Sequence, residues 1–159
     1  MIPSIDDRLA SVVRALTEVI LPHLPPEASL AKEQAQLCIG HLQILRAQID
    51  AAPAFEREEL ADAITLARAL STTTTGHEKA RIAMAAALDR AGAVDGHNAA
   101  EVREHCHAVN QASEALIAAV SAHGDAAEMA NLTALVIGHE QSRVQKDRLW
   151  CAPFGFDTL

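Results

Sequence analysis

The sequence predicts an all-α protein, an up-down antiparallel four-helix bundle with an additional N-terminal helix. Three observations predict it. About a fifth of the 159 residues are alanine, the residue of highest helix propensity. One Trp, three Phe and no Tyr leave a core of thin side chains, which suits closely packed helices and argues against a sheet sandwich. Apolar residues recur at helical spacing in segments joined by short connections, as antiparallel helices require.

Taken in order, Ser4 caps a helix A over about 5–21, with Ile5, Leu9, Val12, Val13, Leu16 and Ile20 on one stripe. Pro22 and the Pro25-Pro26 pair end it. Helix B runs over about 28–51 through Leu30, Leu37, Cys38, Leu42, Leu45 and Ile49, its stripe interrupted by His41. Helix C starts near Pro53 and Phe55 and reaches about Ala91, with a break left open at Ser71-Thr72-Thr73-Thr74-Thr75-Gly76. Thr75 with Glu78 reads as a capping box for a new helix, whereas the apolar phase from Leu60, Ile64 and Ala67 to Ile82 nearly continues across. Asn98 with Glu101 opens helix D, whose stripe is Val102, Cys106, Val109, Leu116, Ile117 and Val120. Asp125 with Glu128 opens helix E, which buries Met129, Leu132, Leu135, Val136 and His139 and ends near Trp150. The tail Phe154-Gly155-Phe156 is expected to dock on the bundle. Helices B, C, D and E form the expected bundle, with A alongside, in one domain over 1–159; a chain of this length can bury a sizeable core.

Composition narrows the function. Thirteen Lys and Arg against 21 Asp and Glu give a formal charge of -8, which disfavours nucleic acid, since phosphate backbones need clustered cations. The N-terminus lacks the basic and apolar regions of a secretory signal, and no apolar run is long enough for a membrane span. A cytoplasmic protein is expected. Cys38, Cys106 and Cys151 are odd in number and widely spaced, and read as reduced thiols.

Helices B and E share a short echo, with Leu37, Ile39, Gly40, His41 and Gln43 matching Leu135, Ile137, Gly138, His139 and Gln141 in spacing. His41 and His139 each fall near the middle of their helix. A continuous helix C would bring Thr73 and Thr74 to the same height, and helix D would bring Asn110, one turn from His107. Mid-helix glycine costs about 1 kcal/mol relative to alanine, so Gly40 and Gly138 call for close helix approach or room for a ligand. This layer is either a satisfied polar core or a cavity for a small polar ligand or ion, lined by His41, His139, Asn110, His107, Thr73 and Thr74. In a zinc version, Cys38, His41, Cys106 and His139 supply thiolate and imidazole ligands. Cysteines on apolar stripes are more often small buried hydrophobes.

Other motifs are incomplete. A di-iron carboxylate bundle needs two Glu-x-x-His pairs, and Glu104 with His107 is the single one. Glu58-Glu59-Leu60-Ala61-Asp62 resembles the Glu-Glu-x-x-Asp run of all-α nucleotide pyrophosphohydrolases of the MazG and dUTPase type. That resemblance implies Mg²⁺ held by carboxylates of two helices. Helix B offers only Glu33 where the family has a spaced group, and the acidic run reads rather as a solvated first turn favoured by the helix dipole. Arg143 to Arg148, with Lys146 between, reads as a basic helix end or an anion patch. No phosphate loop or nucleophile elbow is present.

Leu21-Pro22-His23-Leu24, followed by Ala31-Lys32-Glu33-Gln34-Ala35 and the Leu-rich remainder of helix B, is similar to the start of a group of uncharacterised bacterial all-helical proteins encoded near aminoglycoside-phosphotransferase-like and acyl-CoA dehydrogenase-like genes. The resemblance implies no activity. The sequence thus points to a non-enzymatic helical protein that self-associates or serves as accessory partner to a cytoplasmic enzyme. Ligand or zinc binding in the polar layer is the alternative, and pyrophosphohydrolase chemistry a remote one; no particular cofactor is implied.

Overall fold

A computed structural model describes residues 3–152, and these are helical throughout apart from turns and caps. The chain divides into two compact units, Met1–Ala52 and Pro53–Leu159. The sequence alone predicts one domain over 1–159.

The first unit is a helical hairpin. Ser4 caps α1 (Ile5–Arg14) through a reciprocal box: Ser4 Oγ accepts from the Asp7 amide, and the Ser4 amide donates to Asp7 Oδ2, both at 3.0 Å. The chain then passes into π-helical turns (Ala15–Ile20) and a short α2 (Leu21–His23). Pro22 accounts for that widening. Its ring would collide with the Glu18 carbonyl in a regular α-helix, and it has no amide to donate. The Leu21 amide accordingly reaches back five residues to Leu16. After the Pro25-Pro26 turn, α3 (Ser29–Gln48) packs back against α1, and Arg46 grips Asp6 through two hydrogen bonds of 2.7 and 3.0 Å. Every described side chain of this unit retains solvent contact.

The second unit contains α4 (Ala52–Thr73), α5 (Glu78–Gly92), α6 (Ala99–His123) and α7 (Ala126–Cys151). The expected helix C is therefore two helices, and the expected helix B packs against the N-terminal helix within the first unit. The break follows from local chemistry. Ser71, Thr72, Thr73 and Thr74 each turn their hydroxyl back onto a carbonyl three or four residues earlier, satisfying the last turn of α4. Gly76 and His77 then take positive φ of 78° and 51°, which no α-helix tolerates. The Thr75–Glu78 box does not form. Thr75 instead donates its amide to Glu128 of α7 at 2.8 Å, and His77, the residue preceding α5, brings its imidazole to 3.6 Å from the same carboxylate.

Asn98 and Asp125 do cap α6 and α7 as read, Asn98 accepting from the amides of Ala100 and Glu101, and Asp125 from that of Glu128. Leu60, Ala63, Ala67 and Leu70 of α4 join Met84, Ala87 and Ala91 of α5, Val102, Val109, Ala112, Leu116 and Val120 of α6, and Leu132 of α7 in the core. Alanines let α5 and α6 run in close backbone contact, whereas α4 stands farther from α6 and α7. That uneven spacing opens the pocket described next. The Phe154-Gly155-Phe156 tail lies outside the described residues.

Candidate functional site

Three helices of the second unit enclose a pocket of about 200 Å³. Glu59, Asp62, Ala63 and Leu66 line it from α4, Asn110, Ser113, Glu114 and Ile117 from α6, and Val136, His139, Glu140 and Arg143 from α7. Each set has the spacing i, i+3, i+4, i+7, so each helix contributes a single face two turns long. Seven residues of helix rise about 10 Å, which sets the depth.

Charged groups gather at the Glu59 end. Lys146, one turn beyond Arg143, places its ammonium against Glu59 Oε1 and 2.6 Å from Asp62 Oδ2. Glu59 Oε1 is out of contact with solvent and has no well-directed hydrogen bond among the described residues, so this ion pair is what offsets its burial. Burial opposes the Lys146 charge, but the hydrogen bond from its ammonium to Asp62 and its close pairing with Glu59 prevail and hold it above the ordinary lysine value. Arg143 lies 3.9 Å from Glu59 and 3.6 Å from Glu140. Below these pairs, Phe55 and Trp150 stack with ring centroids 4.4 Å apart, and Lys146 sits 5.2 Å over the Phe55 ring.

Cys106 borders this charged end. Burial raises its thiol above the ordinary value, the Glu59 charge adds to the effect, and Arg143, Lys146 and a weak Asn110 hydrogen bond oppose it. The sulfur therefore stays a protonated thiol near neutral pH, which is the poorly nucleophilic form.

Of the residues singled out in the sequence, Asn110 and His139 meet in this pocket. Thr73 and Thr74 do not. They stand at the end of α4 rather than at its middle, with hydroxyls bound to Ala69 and Leu70 carbonyls. His107 is exposed on α6, its ring 2.9 Å from the Gln111 amide nitrogen. Cys38 and His41 are exposed on α3 in the first unit, whereas Cys106 and His139 belong to the second. Among the described residues, no three His, Cys, Asp or Glu side chains are grouped to hold a metal ion. Close approach does not explain the echoed glycines either, because a Cβ at Gly40 or Gly138 would meet nothing within 4 Å. Gly138 instead borders a shallow groove between α4 and α7.

Sequence reasoning missed the carboxylates and basic residues. Glu59 and Asp62 were placed in a solvated turn or a magnesium set, and Lys146 in a basic helix end. The structure puts the ammonium of Lys146 between the two carboxylates, where the resemblance to pyrophosphohydrolases would put a cation. One signal was available: three helices carry Glu-x-x-Asp-Ala-x-x-Leu, Asn-x-x-Ser-Glu-x-x-Ile and Val-x-x-His-Glu-x-x-Arg, polar groups at the spacing of a buried face.

The fold and the site define an all-helical protein with a mixed-charge pocket among three helices of its second unit. Compared with protein-family models, with curated proteins and with solved structures, the chain matches none. Among the described residues, no helix is long and apolar enough to cross a membrane.

Proposed function

We propose that the chain is a non-enzymatic helical protein of the cytoplasm that self-associates through its N-terminal hairpin, in the manner of an accessory partner to a larger assembly. The observation that carries this reading is a helical unit with no buried side chain among its described residues. Stable helical architectures cover each apolar face with a second layer. Here Ile5 and Val12, seven residues apart on α1, remain exposed, as do Val19 in the π-helical turns and Leu30, Leu37 and Leu45 on α3. A twofold axis would set two such hairpins face to face, each supplying the layer the other lacks.

The same reading extends to the second unit as an up-down bundle of α4, α5, α6 and α7. Phe55 with Trp150, Glu59 with Lys146 and Thr75 with Glu128 pair α4 and α7 in opposite directions, and Ser113 with Met84 couples α6 to α5. Native mass analysis and sedimentation of the full chain test self-association. A dimer is expected, and Leu37→Glu with Leu45→Glu should convert it to monomer. A wild-type chain that stays monomeric at about 100 µM, far above the ~1 µM dissociation constant of a modest interface of about -8 kcal/mol, contradicts the proposal.

A further inference from the structure

We infer that the pocket among α4, α6 and α7 binds a small organic cation with an apolar body, of the class of short aliphatic amines. Its two ends differ in chemistry. One end carries Glu59, Asn110 and Arg143, while the other is closed by Leu66, Ile117 and Val136, the apolar members of the three facing sets. A ligand lying along the pocket therefore meets charge at one end and hydrocarbon at the other over about 10 Å.

The sign of the charge follows from pairing. Four carboxylates, Glu59, Asp62, Glu114 and Glu140, line the space, against the cations of Arg143 and Lys146. Both cations are committed to carboxylates already. Glu114, exposed at the rim, has no hydrogen bond or ion pair among the described residues, nor does the half-buried His139 ring, and the carbonyl oxygen of the exposed Asn110 has no protein donor. Water serves these acceptors at the open rim, and a ligand's N–H donors can replace it there. An ammonium supplies three donors and the missing positive charge, and a carboxylate ligand would meet an uncompensated negative field. The volume, about that of six or seven waters, admits a short alkyl chain.

This inference does not depend on self-association. It is tested by calorimetry and by side-chain NMR of the full chain with hexan-1-amine, hexan-1-ol and hexanoate, the native mass being followed in the same samples. The amine is expected to bind, shifting the His139 ring and Asn110 amide signals, with hexanol at least tenfold weaker and hexanoate weaker still. Glu114→Gln should weaken the amine about tenfold without changing the fold, because Glu114 is exposed and holds no structural partner. Hexanoate binding as tightly as the amine, amine binding unaffected by Glu114→Gln, or shifts confined to the exposed Ile137 and Val144 face would each overturn the assignment. So would an absence of amine binding, whatever mass the protein shows.

Discussion

Asp6 and Arg46 meet across the N-terminal hairpin, 40 residues apart in sequence, through a two-point hydrogen bond. That bond, more than the charge of Arg46 itself, holds the Asp6 carboxyl below the ordinary aspartate value, with slight burial working the other way. A group depressed in the folded state contributes stability above its unfolded value and loses it as pH falls through the folded one. The hairpin should therefore loosen only in the acid range below the usual aspartate titration. In Arg46→Ala the Asp6 carboxyl should titrate at a higher pH, by carbon-detected NMR; an unmoved midpoint would deny the pair any hold on Asp6. Glu128 shows a residue doing two jobs at once. Its sequence position promised a capping-box partner for Asp125, yet its carboxylate reaches the Thr75 amide and the His77 ring, joining the α4–α5 turn to α7.

At the scale of the element, glycines separate local from tertiary causes. Gly76 stands at φ 78° in the turn between α4 and α5, with nothing near a would-be Cβ, so its value lies in backbone freedom alone. Gly138 sits inside α7 with equally open surroundings, and no close approach repays its helix cost. Gly76→Ala should then destabilise by about 1 kcal/mol and Gly138→Ala stabilise by about the same amount, read from denaturant midpoints. Equal signs for the two would contradict this account. Helix starts and stops were legible because capping is a matter of a few adjacent residues: Ser4, Asn98 and Asp125 all cap as their side chains suggest. The open choice at Thr72 to Gly76 was decided by four hydroxyls turning onto their own helix and by a carboxylate 53 residues away.

For the whole molecule, packing is unevenly shared. The core belongs to the second unit, where α5 and α6 lie closest and α6 supplies Val102, Val109, Leu116 and Val120. Among the described residues, the first unit contributes no buried side chain. Local opening follows buried contact density. In the Leu37→Glu, Leu45→Glu variant, α3 amides should exchange with solvent well before those of α6, as followed by hydrogen exchange; comparable protection would mean that the hairpin has a core of its own. The candidate pocket also emerges only at this scale. The sequence places Asn110 and His139 near the middle of their helices, but it gives no reason to associate Glu59 and Asp62 of α4 with Arg143 and Lys146 of α7.

The sequence by itself determined the helical class, the positions of most helix boundaries and the thin, alanine-rich character of the core, because propensity, capping and periodicity act within a turn or two of each residue. Tertiary structure alone decided which helices keep company and which polar side chains meet. Periodicity tells each helix to bury a face without naming what covers it. Here the answer depended on α4 ending at its own hydroxyls, α3 folding back onto α1, and α4 standing far enough from α6 and α7 to leave a pocket.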